Sequence, residues 1–308
     1  LAFIPDRNRD DEPDGRPTVH LDGWSLKAEH NSVEETKGGE EGGSPVLPPL
    51  LDLGGDPELL GLQRPEKRAA DDPMDSEYPY VLVLDRAAQS LHGMLASQRI
   101  AGNDPMAAIN IFRLVVEQVQ VLHSAGLLHF DLKPRNILLL EDGSVVLCDL
   151  DASMRLGIAR GRDEKPGSSA YYAPEVARWA EDRSAVILEP LIATEALDVW
   201  SLGALLFELC NGRTLFRQDI SNDDLVDRSD LTRLYTWRTI SEEQLTDVFK
   251  GADNDAAASM YRSPAQHLIR WCLKGRASER PSVTQILAHP LLQEDDPSSL
   301  PLPLGSLS

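Results

Sequence analysis

Cysteine is scarce in this 308-residue chain: Cys148, Cys210 and Cys272 lie far apart and are odd in number. That excludes a disulfide framework and a cysteine-based metal site, and it leads us to expect a reducing, intracellular setting, the cytoplasm being the simplest. Positive charge is short as well, with 30 Lys and Arg against 50 Asp and Glu and a formal net charge of −20. Nucleic acid and anionic membranes both reward basic residues, so neither is expected as the main partner. No uncharged apolar run approaches the length of a membrane span. A secretory signal is not read either, because the apolar Leu1–Pro5 is too short and acids follow at once. The first residue is Leu rather than Met, so a fragment or a processed product is expected. What remains is ordinary for a folded chain, since 42% hydrophobic residues are enough to fill a core.

The charge is uneven along the chain. Residues 1–77 hold 19 acidic and 8 basic residues, together with Gly38–Gly43 (GGEEGG) and the prolines of Val46–Leu50. Such a stretch buries too little apolar surface to offset chain entropy, so 1–77 is read as a disordered linker or insertion. Order is expected from Tyr78. Tyr80–Leu84 reads as a buried strand. Asn103-Asp104-Pro105 offers an N-cap and a first-turn Pro for a helix over 105–124, whose apolar residues Ile109, Phe112, Val115, Val116, Val119 and Leu122 share one face. Ile137–Leu140 and Val145–Cys148 flank Glu141-Asp142-Gly143-Ser144, a hairpin signal. Further helices are predicted over 198–209, ending at Asn211-Gly212, and near 241–249, 264–274 and 281–292. Residues 294–308 read as a C-terminal tail.

Between the long helix and the hairpin lies His129-Phe-Asp-Leu-Lys-Pro-Arg-Asn136. Asp131, Lys133 and Asn136 sit in one loop before a strand, and Asp149 follows the second hairpin strand. Phosphoryl transfer needs a carboxylate to orient the attacking hydroxyl, a cation beside the moving phosphoryl group, and oxygen ligands for magnesium. Taken singly, each residue is equally at home in a turn held by side chain–backbone hydrogen bonds.

This segment closely resembles the catalytic loop of eukaryotic protein kinases, and Asp149-Leu150-Asp151 resembles their magnesium-binding tripeptide. Ala173-Pro174-Glu175, Asp198-Val-Trp-Ser-Leu-Gly203 and Arg280-Pro281 follow in the family's order, so the resemblance spans about 78–293. It implies an α+β, protein-kinase-like fold, with a mostly α-helical large lobe and a truncated β-rich small lobe. It also implies ATP and Mg as cofactors and a protein substrate with a Ser or Thr acceptor. By position, Asp131 would be the catalytic base, Lys133 the phosphate-contacting cation, and Asn136 and Asp149 the magnesium ligands. Ser168 would bridge Asp131 and Lys133. Leu138 would pack under the adenine, and Leu84, Asp85 and Ala87 would belong to the hinge that offers backbone groups to the base. Lys133 points to Ser/Thr rather than Tyr specificity, since tyrosine kinases resembling this loop place Ala or Arg nearby. Glu175 with Arg280, and Asp198, carry structural roles in such a fold. His129 is expected as a core histidine.

Three departures stand against that pattern. No Gly-x-Gly-x-x-Gly loop appears, nor a Val-Ala-Ile-Lys strand with its phosphate-holding Lys, so either the chain is truncated upstream, with 6–76 inserted late in the small lobe, or this product lacks those parts. Phe130 replaces the Arg that normally pairs with a phosphorylated activation loop, so that switch should be dispensable. Asp151 replaces a Gly whose backbone freedom a bulkier residue lacks. The rival reading is a non-catalytic kinase-like module that binds or scaffolds. A further expectation concerns Arg135, where a cation facing the peptide would repel Arg or Lys upstream of the acceptor.

Overall fold

The computed structural model of the chain describes residues 18–21, 24–27, 86–161, 167–181, 190–219, 221–252 and 255–293. The chain divides into two compact units, and the described residues from Arg86 onward all belong to the first. Within the stretch read as a linker, β1 (Thr18–Leu21) and β2 (Trp24–Lys27) pair with each other. They flank Asp22-Gly23, a dipeptide that favours two-residue hairpin turns and that the charged composition of 1–77 concealed. The strand expected over Tyr80–Leu84 lies outside the described residues, as do Leu84 and Asp85 of the expected hinge and the tail 294–308.

The first unit opens with β3 (Gln89–Ser90) and α1 (Leu91–Ser97), capped by the Ser90 hydroxyl, which accepts from Gly93 N. Next comes α2 (Pro105–Ser124), with the predicted bounds. Asp104 accepts from Ala107 N at 3.0 Å, and Pro105 occupies a position where no N–H is needed. The six apolar residues that predicted the helix are all buried. Four short strands follow: β4 (Leu127–Leu128), β5 (Ile137–Leu139), β6 (Val145–Leu147) and β7 (Met154–Arg155). β5 and β6 make the predicted antiparallel hairpin, with Ile137 opposite Leu147, while β3 adds to the other edge of β5. β4 pairs antiparallel with β7.

The remainder is helical: α3 (Pro174–Glu181), α4 (Glu195–Asn211), α5 (Arg228–Tyr235), α6 (Glu242–Leu245), α7 (Asp255–Cys272), α8 (Val283–Leu287) and α9 (Pro290–Gln293). α4 packs against both α2 and α7 and is apolar nearly all round, as a helix at the centre of a core must be. Gly212 ends it in the left-handed region, φ 67°. α2 is long and apolar enough to cross a membrane, but its apolar face packs on α4, α8 and β6, the burial of a core helix.

Three predicted helices depart from their expected bounds, and α1, α3 and α5 were not predicted. α7 starts at Asp255 and runs through Pro264, which the sequence suggests as a first-turn residue. A mid-helix proline costs about 3 kcal/mol, but Ala258, Tyr261, Ala265, Leu268 and Ile269 bury one continuous face and outweigh it. The helix predicted near 241–249 shrinks to α6: beyond Leu245 the backbone tightens into three-residue turns (Val248 N to Leu245 O, Lys250 N to Asp247 O), and Phe249, its ring fully buried, is left-handed (φ 53°). The helix predicted near 281–292 splits into α8 and α9 at Ala288-His289, just before Pro290, a residue that disfavours helical angles in the one preceding it.

Candidate active site

The loop joining β4 to β5 is held from beneath by Asp198, in the first turn of α4. Its wholly buried carboxylate accepts from His129 N and Phe130 N, both at 2.9 Å, and pairs with His123 Nε2 at 2.9 Å. Phe130 is thereby held at φ 70°, a left-handed conformation that a bulky residue adopts only where its surroundings impose it. His129 is fully buried as expected. Its Nδ1 accepts from Asp131 N and its Nε2 faces Cys148 O, which suits the neutral ring with hydrogen on Nε2. Burial lowers its pKa, against the opposing pull of Asp198 and Asp131.

On this platform the structure brings Asp131, Lys133, Asn136 and Ser168 into one cluster. Asp131 Oδ1 accepts from Ser168 N at 2.7 Å, and its Oδ2 accepts from Asn136 Nδ2 at 3.0 Å. Lys133 Nζ reaches Asp131 Oδ2 at 3.2 Å and donates to Ser168 Oγ at 2.6 Å, so Ser168 meets Lys133 through its hydroxyl and Asp131 through its backbone N–H. Gly167 is required beside them, because a Cβ there would fall 2.5 Å from Asp131 Oδ1. Tyr172 Oη closes the turn by donating to Gly167 O at 2.7 Å.

Asn136 uses its amide nitrogen on Asp131, so Oδ1 is the atom it can offer a cation. Asp149 stands across the open end of the β5–β6 hairpin, which the bond from Cys148 N to Asn136 O (3.0 Å) closes. Asp149 is exposed and left-handed (φ 62°), a region Asp tolerates better than most residues. The two donors are hard oxygens. They fit Mg²⁺, which keeps waters and takes phosphate oxygens rather than a full protein cage. Among the described residues no group of three or more His, Cys, Asp or Glu forms such a cage. Asp131, Lys133, Asp149 and Ser168 line a cavity of about 570 Å³, with Asp151 and Arg160 on its wall.

Leu138 is half-buried, on the face of β5 opposite the fully buried Ile137 and Leu139. Ala87 precedes Ala88, whose N–H donates to Leu139 O at 2.9 Å, so this end of the expected hinge runs beside β5. Asp151 sits within a single 3₁₀ turn, Leu150–Ala152, and its φ is not positive. The backbone cost expected there falls on Asp149 and Phe130 instead. Cys148 is half-buried, its thiol pKa raised by burial and then by Asp149.

Sequence reasoning missed three contacts. Arg160 lies over the Phe130 ring, its guanidinium carbon 4.4 Å from the centroid. Tyr171 Oη donates to Glu208 Oε2 at 2.8 Å, and burial pushes that carboxyl up to about 7. Arg135, expected to face a peptide, places Nε 3.1 Å from the buried Asp223. None has a local signal, because each joins segments 30 or more residues apart. The structural pair Glu175–Arg280 is bidentate at 2.7 and 2.8 Å, as expected.

The model of the protein kinase domain family matches residues 70–292 of the chain. Among individual proteins, the serine/threonine-protein kinase PEPKR2 of Arabidopsis thaliana is 29% identical over 186 residues, covering 59% of this chain and 33% of that protein. Calcium-dependent protein kinase 21 of Oryza sativa is 28% identical over 235 residues, 75% of this chain and 35% of that protein. A mitogen-activated protein kinase of Caenorhabditis elegans is 28% identical over 273 residues, 74% of this chain and 61% of that protein. The chain thus spans less than two thirds of the length of each of these relatives.

Proposed function

Because this chain belongs to the protein kinase domain family, we propose that the protein transfers the γ-phosphoryl group of ATP to Ser or Thr hydroxyls of a protein substrate. The observation that carries this reading is the Asp131–Lys133–Ser168 cluster, with Asn136 attached to it. Asp131 is oriented through both carboxylate oxygens, so it faces the cavity in one pose and can accept the proton of an acceptor hydroxyl. Lys133 stands beside it to offset charge on the phosphoryl group in flight. Ser168 fixes the separation of the two. Asn136 and Asp149 would hold Mg²⁺, which would supply charge neutralisation at the phosphates. Leu138 would pack against the adenine, and the hinge at Leu84, Asp85 and Ala87 would meet its polar edge.

Replacing Asp131 by Asn in the whole protein tests the assignment. Phosphate transfer should fall by about a hundredfold or more while ATP affinity is retained, because Asp131 addresses the hydroxyl and not the nucleotide. Undiminished turnover would remove Asp131 from the chemistry. Saturable ATP binding with no transfer by the unsubstituted protein would favour the non-catalytic module.

A further inference from the structure

We infer that Asp223 is a positioning residue for phosphate transfer, holding Lys133 and Arg135 through its buried carboxylate; this rests on the kinase reading above. Asp223 lies in the loop between α4 and α5 and is 3% exposed. Its Oδ1 accepts from Arg135 Nε at 3.2 Å, its Oδ2 lies 3.1 Å from the same atom, and Oδ2 is 3.5 Å from Lys133 Nζ. One carboxylate from a distant loop therefore faces both cations of the catalytic loop. Lys133 Nζ donates to Ser168 Oγ, lies 3.2 Å from Asp131 Oδ2, and has the Asp223 carboxylate at the longer ion-pair distance of 3.5 Å.

The backbone around Asp223 is committed to this placement. The residue is left-handed, φ 59°. Its N–H donates to Asp219 O at 2.9 Å, and its carbonyl accepts from Ala170 N at 3.2 Å. The next residue, Asp224, accepts from Ser169 N at 3.1 Å and from Ser169 Oγ at 2.9 Å. The same loop thus contacts the two residues that follow Ser168 and both Lys133 and Arg135. Asn222 and Asp224 also line the cavity that holds Asp131 and Lys133, so this loop forms part of its wall. Asp223 adds a negative charge behind Lys133, and Arg135, its side chain 35% exposed, is paired with that same carboxylate.

Asp223→Asn keeps the shape and tolerates the left-handed backbone, so it isolates the charge. In the whole protein it should lower kcat by about tenfold while leaving KM for ATP within about twofold. Melting temperatures of Asp223→Asn, Lys133→Met and the double variant should be non-additive, the double variant losing less than the sum; Arg135→Met should couple to Asp223→Asn in the same way. An unchanged kcat, or additive losses for Asp223 and Lys133, would overturn the inference and leave Asp223 as a loop anchor. If the unsubstituted protein transfers no phosphate, the kinase reading falls, and the melting cycle still decides whether Asp223 holds Lys133.

Discussion

Arg280 shows how one side chain can secure the large lobe. Its side chain is wholly buried, forked onto Glu175, bonded to Ala196 O and Lys274 O, and laid over Trp200. Removing the negative partner would leave a buried guanidinium uncompensated. Glu175→Gln should therefore cost about 3–5 kcal/mol, read as a drop in the urea midpoint at unchanged slope. This pair was legible in the sequence only through family order, since 105 residues separate the partners. Asp131, Lys133 and Asn136 were legible for a simpler reason: their chemistry is packed into six consecutive residues, and local spacing survives folding. Asp223 was not legible, since nothing about an Asp in a Ser-Asn-Asp-Asp turn says that Arg135, 88 residues earlier, will arrive beside it. The same holds for Arg160 over Phe130. That contact joins two segments 30 residues apart through a cation over an aromatic face.

α4 and α7 meet at Gly203, where a Cβ would lie 2.7 Å from Cys272 Cβ and 3.0 Å from Leu273 side-chain atoms. Helix propensity alone predicts that Gly203→Ala stabilises by about 1 kcal/mol. Packing predicts the opposite, because overfilling a close helix contact costs about 1–3 kcal/mol. Contact wins here, since the nearest atoms belong to a fully buried Cys272 that has no room to move. A lowered melting temperature for Gly203→Ala is the expected result; a raised one would mean that the two helices part easily. The same competition explains which elements the sequence foretold. α2 and the β5–β6 hairpin had period, cap and turn all in agreement. α7 has a proline at its middle, and only tertiary burial, invisible in a local window, keeps it whole.

For the molecule as a whole, acid should weaken the fold through histidines held neutral. His289 is lowered by burial and by His267, whose Nδ1 lies 2.9 Å from His289 Nε2; its own Nδ1 accepts from Leu291 N at 3.1 Å. His129 is lowered by burial. The unfolded chain binds these protons near the ordinary value of 6.5 and the folded chain resists them, so stability is lost as pH falls below 6.5. Glu208 acts in the other sense. Raised to about 7, its contribution is full below the ordinary 4.5 and is lost as pH rises through about 7. Single variants separate the two. Going from about pH 7.5 to about pH 5.5, the unsubstituted protein should lose melting temperature relative to His289→Gln, and it should gain relative to Glu208→Gln. A pH-independent difference in either comparison would show that the group titrates alike in both states. The central claim is phosphate transfer at Asp131 with Asp149 as a magnesium ligand. It is tested most directly by following γ-phosphate from radiolabelled ATP into a protein substrate, with magnesium present or chelated, and identifying the modified residue. The account predicts magnesium-dependent phosphoserine or phosphothreonine, abolished by Asp149→Asn. Label on tyrosine, or transfer that survives both chelation and Asp149→Asn, would contradict it.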